Sequence, residues 1–71
     1  MANDTIKILR ENIKKYRTVQ NLTQEKLSEL AGVSSDYLSE IERGKKIPSL
    51  KRIILIAKAL NMEVCELFTD K

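Results

Sequence analysis

Three residues, Gly32-Val33-Ser34, constrain this chain more than any others. Before them, Leu27, Leu30 and Ala31 recur at the spacing that lines one face of a helix. After them, Leu38 and Ile41 do the same, and Val33 joins them in pointing toward a core. So short a connection is too tight for two helices to lie antiparallel, so the pair must cross at a steep angle. Gly32 ends the first helix in a backbone conformation that costs any residue with a Cβ more. Ser34 is a favourable N-cap for the second, which runs to Gly44.

The flanking segments extend the same pattern. Ile6, Leu9, Ile13 and Tyr16 share one helical face, with Asp4 or Thr5 available as a cap and Asn21 suited to the turn that follows. Thr23-Gln24-Glu25-Lys26 is a near capping box, with Lys26 where Glu or Gln is ideal. After the loop Lys45-Lys46-Ile47-Pro48, Ser49 caps a segment whose apolar stripe is Leu50, Ile53, Ile54, Ala57 and Leu60. A short fifth segment spans about Glu63 to Phe68, with Val64, Leu67 and Phe68 turned inward. There is no alternating pattern, internal repeat or low-complexity stretch. The 71 residues are therefore expected to form one all-α domain of five helices. A domain this small buries only ~60% of its unfolded surface, which favours short helices that satisfy their own hydrogen bonds.

Composition narrows the chemistry. With no His and a single Cys, Cys65, neither a zinc site nor an internal disulfide is expected, and Cys65 reads as a small packing residue with no base to activate it. No phosphate-cradling glycine loop or nucleophile–base pair is present, so an enzyme is not expected, nor is a cofactor. No stretch is long and apolar enough to span a membrane, and Met1-Ala2-Asn3-Asp4 lacks a signal pattern; the expected location is cytoplasmic. Aromatic residues are 4% of the chain, too few for a base-stacking surface, and Tyr16 and Phe68 read as core. The net charge of +3 is modest but polarised. Residues 43–52 carry Arg43, Lys45, Lys46, Lys51 and Arg52 with no acid, whereas Glu63, Glu66 and Asp70 fall near the C-terminus. A local basic run is either the footprint of a polyanion partner or a solvated face.

Leu22-Thr23-Gln24-Glu25-Lys26-Leu27, with Ser35-Asp36-Tyr37-Leu38-Ser39-Glu40-Ile41-Glu42-Arg43-Gly44-Lys45, resembles the Cro/C1-type (XRE) helix-turn-helix family. Pro48-Ser49-Leu50 and Ile56-Ala57-Lys58-Ala59-Leu60-Asn61 extend the likeness, which runs from about Leu9 to Phe68. Ser28 stands where the family usually has alanine and Asn21 where glycine is common; both substitutes suit their positions. The resemblance implies a five-helix, lambda-repressor-like DNA-binding domain whose helix-turn-helix is formed by helices 2 and 3, with helix 3 in the major groove. It places Ser35, Asp36, Ser39 and Glu40 where the family reads bases. It places Gln24, Ser34, Tyr37, Arg43, Lys45 and Lys46 where the family meets the DNA backbone, with Gln24 also bracing the recognition helix. Arg17 and Glu42 match a structural ion pair.

Asp36 and Glu40 would sit near phosphates. Each either accepts from the amino group of cytosine, or faces solvent or pairs with Arg43 or a lysine. The implied function is a double-stranded DNA-binding transcriptional regulator, a repressor at a palindromic operator. Small members of the family also serve as antitoxins that bind a toxin, or as controller proteins of restriction-modification systems. A helical protein-interaction module without DNA contact is disfavoured by Gln24, the polar third helix and the basic loop. One recognition helix reads few base pairs, so a homodimer is expected, formed in solution or only on DNA. Leu55, off the apolar stripe, and Met62 are the candidate interface, the alternative being that Leu55 widens the core.

Overall fold

A computed structural model describes residues 4–70, which form five helices in the order α1 (Asp4–Val19), α2 (Gln24–Ala31), α3 (Ser35–Glu42), α4 (Leu50–Ala59) and α5 (Val64–Leu67). Three of the helices start alike. The hydroxyls of Thr23, Ser34 and Ser49 accept from the N–H groups of Lys26, Tyr37 and Arg52 at 3.0, 3.0 and 3.3 Å. Each cap satisfies a donor that has no partner within its helix and contributes ~1 kcal/mol. Asp4 and Thr5, read as alternative caps of α1, both lie inside that helix.

Four helices also end alike. The residue past the end takes a left-handed conformation: Asn21 (φ 61°), Gly32 (74°), Gly44 (78°) and Asn61 (59°). Paired backbone bonds close each end, such as Asn21 N to Thr18 O (2.9 Å) with Leu22 N to Arg17 O (3.0 Å), and Gly44 N to Ile41 O (3.0 Å) with Lys45 N to Glu40 O (2.8 Å). These are Schellman terminations, which satisfy carbonyls that the helix leaves open. Asn fills two of the four positions because its short polar side chain tolerates the left-handed region.

The core is built from Leu9, Ile13, Leu27, Ala31, Leu38, Ile41, Ile53, Ile56, Ala57, Leu60 and Leu67, all buried. Val33, Tyr16, Val64 and Phe68 pack against it partly exposed. Two apolar stripes differ from expectation. On α4, Leu50 and Ile54 are 66% and 38% exposed, while Ile56 is fully buried. The helix is rolled about its axis because its inward face must meet both α2 and α5. On α2, Leu30 is 52% exposed, since α3 and α4 cover only the face carrying Leu27 and Ala31. Cys65 is exposed and not a packing residue: in so short a helix, Leu67 alone is fully buried.

Two buried polar groups complete the scaffold. Asn12, 8% exposed on α1, donates through Nδ2 to the carbonyls of Leu67 and Thr69, both at 2.9 Å. It thereby anchors the segment leaving α5. Ser28, 5% exposed between α2 and its neighbours, donates its hydroxyl to Glu25 O at 2.8 Å, so the helices approach closely without an unpaired group.

Candidate nucleic-acid interface

α3 is held from beneath by its last residue. Glu42 Oε2 accepts from Arg17 Nε at 2.8 Å, and Glu42 Oε1 accepts from Arg17 Nη2 at 3.1 Å and from Gln24 Nε2 at 3.0 Å. Arg17 Nη1 donates to the carbonyl of Leu22 at 2.7 Å. The Glu42 side chain is only 3% exposed and that of Arg17 14%. The two-pronged arrangement fixes direction as well as distance, because the guanidinium fork matches the carboxylate edge. One buried carboxylate thus ties α1, the α1–α2 turn, the start of α2 and the end of α3 into one unit. Gln24 therefore braces α3, and it stands at the first position of α2.

The opposite side of α3 is free. Leu38 and Ile41 point into the core, so helical geometry turns Asp36, Ser39, Glu40 and Arg43 outward together. Asp36 and Arg43 are exposed, Ser39 and Glu40 partly so. Ser35 sits at one edge of this face, sharing a shallow polar groove with Thr23, Ser28 and Glu29 of α2 and the turn before it. Tyr37 sits at the other edge, toward α4, with its ring beneath Arg52. Ser34, at the near end of α3, keeps its hydroxyl proton while its oxygen caps the helix. The candidate base-reading residues thus split into an outer three, Asp36, Ser39 and Glu40, and Ser35 at the margin.

Basic groups border the far end of this face. Lys45 and Lys46 are exposed in the loop after Gly44, which buried Pro48 pins to the body. Lys46 Nζ lies 3.4 Å from Glu40 Oε1 and 5.3 Å from the centroid of the Tyr37 ring. Glu40 is thus the acid of the pair that meets a lysine, while Asp36 faces solvent. Arg10, from α1, reaches the same end: its guanidinium atoms lie 3.1–3.3 Å from where a Cβ on Gly44 would stand. Arg10 is brought beside the loop only by packing, and no motif around it signals this, whereas Arg52 follows the loop directly in the first turn of α4. Leu55 and Met62, the candidate contacts between protomers, are both half-buried against the core. No helix among the described residues is long and apolar enough to cross a membrane.

Comparison with known proteins agrees with this geometry. A helix-turn-helix family model matches residues 13–67. The control protein C.SmaI of Serratia marcescens is 41% identical over 66 residues, covering 93% of this chain and 79% of the relative. The crystal structure of the restriction-modification controller protein C.AhdI from Aeromonas hydrophila superposes with a TM-score of 0.86 at 34% identity, covering 96% of this chain and all of that one. The biofilm regulator SinR, solved in complex with DNA, has a TM-score of 0.81 at 32% identity, covering 86% and 98%. The five helices, the matched residues and these relatives establish that the chain belongs to the Cro/C1-type helix-turn-helix family of DNA-binding transcriptional regulators.

Proposed function

We propose that the protein is a cytoplasmic, dimeric regulator that inserts α3 into the major groove of a palindromic operator and represses by occupying it. One observation carries the reading: the exposed polar face of α3 is rigidly held by the buried Glu42 network and bordered by the cations of residues 43–52. Asp36, Ser39 and Glu40 supply donors and acceptors to base edges, with Ser35 reading at the margin. Gln24, Ser34, Tyr37, Arg43, Lys45 and Lys46 set the register on phosphates, which carry no sequence information but most of the affinity. Two copies related by a two-fold axis would read half-sites ~34 Å apart. Leu55 and Met62 are proposed to contribute apolar area between protomers, alongside the exposed Leu50 and Ile54 on the same helix.

A second reading has its own support. C.SmaI and C.AhdI are control proteins of nearly this length, and C.AhdI is a restriction-modification controller. On that reading the protein times expression of a restriction-modification gene pair, activating as well as repressing. Selection of bound sequences from random duplex DNA, followed by footprinting and stoichiometry, tests the first reading. A selected site without two-fold symmetry, or one chain per site, refutes it. A neighbouring methyltransferase gene whose promoter contains the selected site supports the second.

A further inference from the structure

Two cations converge on one aromatic ring at the edge of α3. Lys46 Nζ lies 5.3 Å from the Tyr37 ring centroid and Arg52 Cζ 5.6 Å. Lys46 comes from the α3–α4 loop and Arg52 from the first turn of α4. A ring face attracts a cation, but two cations on one ring repel each other. Glu40 Oε1, 3.4 Å from Lys46 Nζ, offsets only one of the two charges. Among the described residues no acid lies within ion-pair distance of Arg52. Nor does the helix favour Arg52 where it stands. The first turn of α4 carries Lys51 and Arg52 and no acid, against the positive end of the helix dipole. The ring and Glu40 therefore leave a surplus of positive charge that an external anion would stabilise further.

Resting on the DNA-binding reading above, we propose that Tyr37 is a positioning residue that gathers Lys46 and Arg52 into a two-cation seat for one backbone phosphate. Glu40 occupies Lys46 in the free protein. When a phosphate takes Lys46, the Glu40 carboxylate is released toward the groove, where it can accept from a base amino group. Phosphate engagement and base reading are then coupled through one exchange of partners. This adds Arg52 to the backbone contacts and makes Glu40 a competitor of the phosphate as well as a reader.

The test uses the full chain and a non-cognate duplex, so that base preference does not enter, with binding followed across a salt series. Arg52→Gln with Lys46→Gln is expected to reduce the slope of log K against log salt by ~0.9, the value for the one phosphate the two cations share, and Arg52→Gln alone by a measurable part of that. Glu40→Gln is expected to tighten binding about two- to five-fold, the range for releasing an exposed ion pair, and the gain should vanish in a Lys46→Gln background. In the free protein, ring-current shifts on the Lys46 ε and Arg52 δ protons should persist in Tyr37→Phe and collapse in Tyr37→Leu. An unchanged slope in Arg52→Gln, or a Glu40→Gln gain that survives Lys46→Gln, overturns the proposal while leaving the DNA-binding reading intact. Absence of duplex binding by the wild type at low salt overturns both.

Discussion

The Arg17–Glu42 pair offers the sharpest test of how α3 is held. In Arg17→Met, the Glu42 carboxylate, 3% exposed, keeps a single neutral donor, Gln24 Nε2 at 3.0 Å. Breaking a buried pair by removing one partner costs ~3–5 kcal/mol, because the remaining charge is left without compensation. The Arg17 side chain is 14% exposed, so water reaches part of the vacated space and the low end, ~3 kcal/mol, applies. Loss of the Nη1 bond to Leu22 O adds ~1 kcal/mol. Adding Glu42→Leu removes the stranded charge, so the double variant should lose only ~1 kcal/mol. For a domain of this size the total stability is ~4–11 kcal/mol, so the single change consumes a large share of it. At ~4–8 °C per kcal/mol, the melting temperature should fall by ~15–30 °C in Arg17→Met and by only ~4–8 °C in the double variant. Urea unfolding followed by far-UV circular dichroism measures both. If the two variants unfold within ~0.5 kcal/mol of each other, the carboxylate is not stranded and the reasoning fails.

Other outcomes follow from the same contacts. Asn12→Ala should cost ~2–3 kcal/mol by leaving the Leu67 and Thr69 carbonyls unpaired, and Asn12→Asp should cost more by setting an acceptor against two acceptors, with proteolysis near α5 as the local readout. Gly32→Ala should destabilise by ~1 kcal/mol through its left-handed backbone alone, because none of the described residues lies within 4 Å of the added Cβ, and thermal unfolding would reveal it. Lys45→Ala with Lys46→Ala should weaken binding to every duplex and lower the salt slope by ~1–2 units; an unchanged slope removes both from the phosphate contacts. Leu55→Glu should abolish two-to-one stoichiometry on a selected operator, whereas tight dimeric binding by that variant would move the interface elsewhere.

Much of this molecule is legible residue by residue. Thr23, Ser34 and Ser49 cap helices, and Asn21, Gly32 and Gly44 end them, because capping is decided by side chains and φ angles within a few positions of one another. The tight Gly32-Val33-Ser34 turn follows from the same local chemistry, and with it the crossing of α2 and α3. The Arg17–Glu42 pairing is 25 positions apart and was accessible only through family resemblance. Tertiary packing decided the rest. Leu50, Ile53, Ile54 and Ile56 are near-equivalent in hydrophobicity, so periodicity alone does not say which enter the core; the rotation of α4 between α2 and α5 buries Ile56 and exposes Leu50 and Ile54. Asn12 looks like any polar residue on α1 until the chain returns two carbonyls to it. Arg10 is an unremarkable cation in sequence and becomes a neighbour of the α3–α4 loop only when α1 is folded against it, whereas Lys46 and Arg52 are legible as part of the basic run and packing decides only that they meet at the Tyr37 ring. Local backbone preferences act over one turn of helix, whereas the choice of buried face and of charge neighbours is made by contacts between elements far apart in the chain.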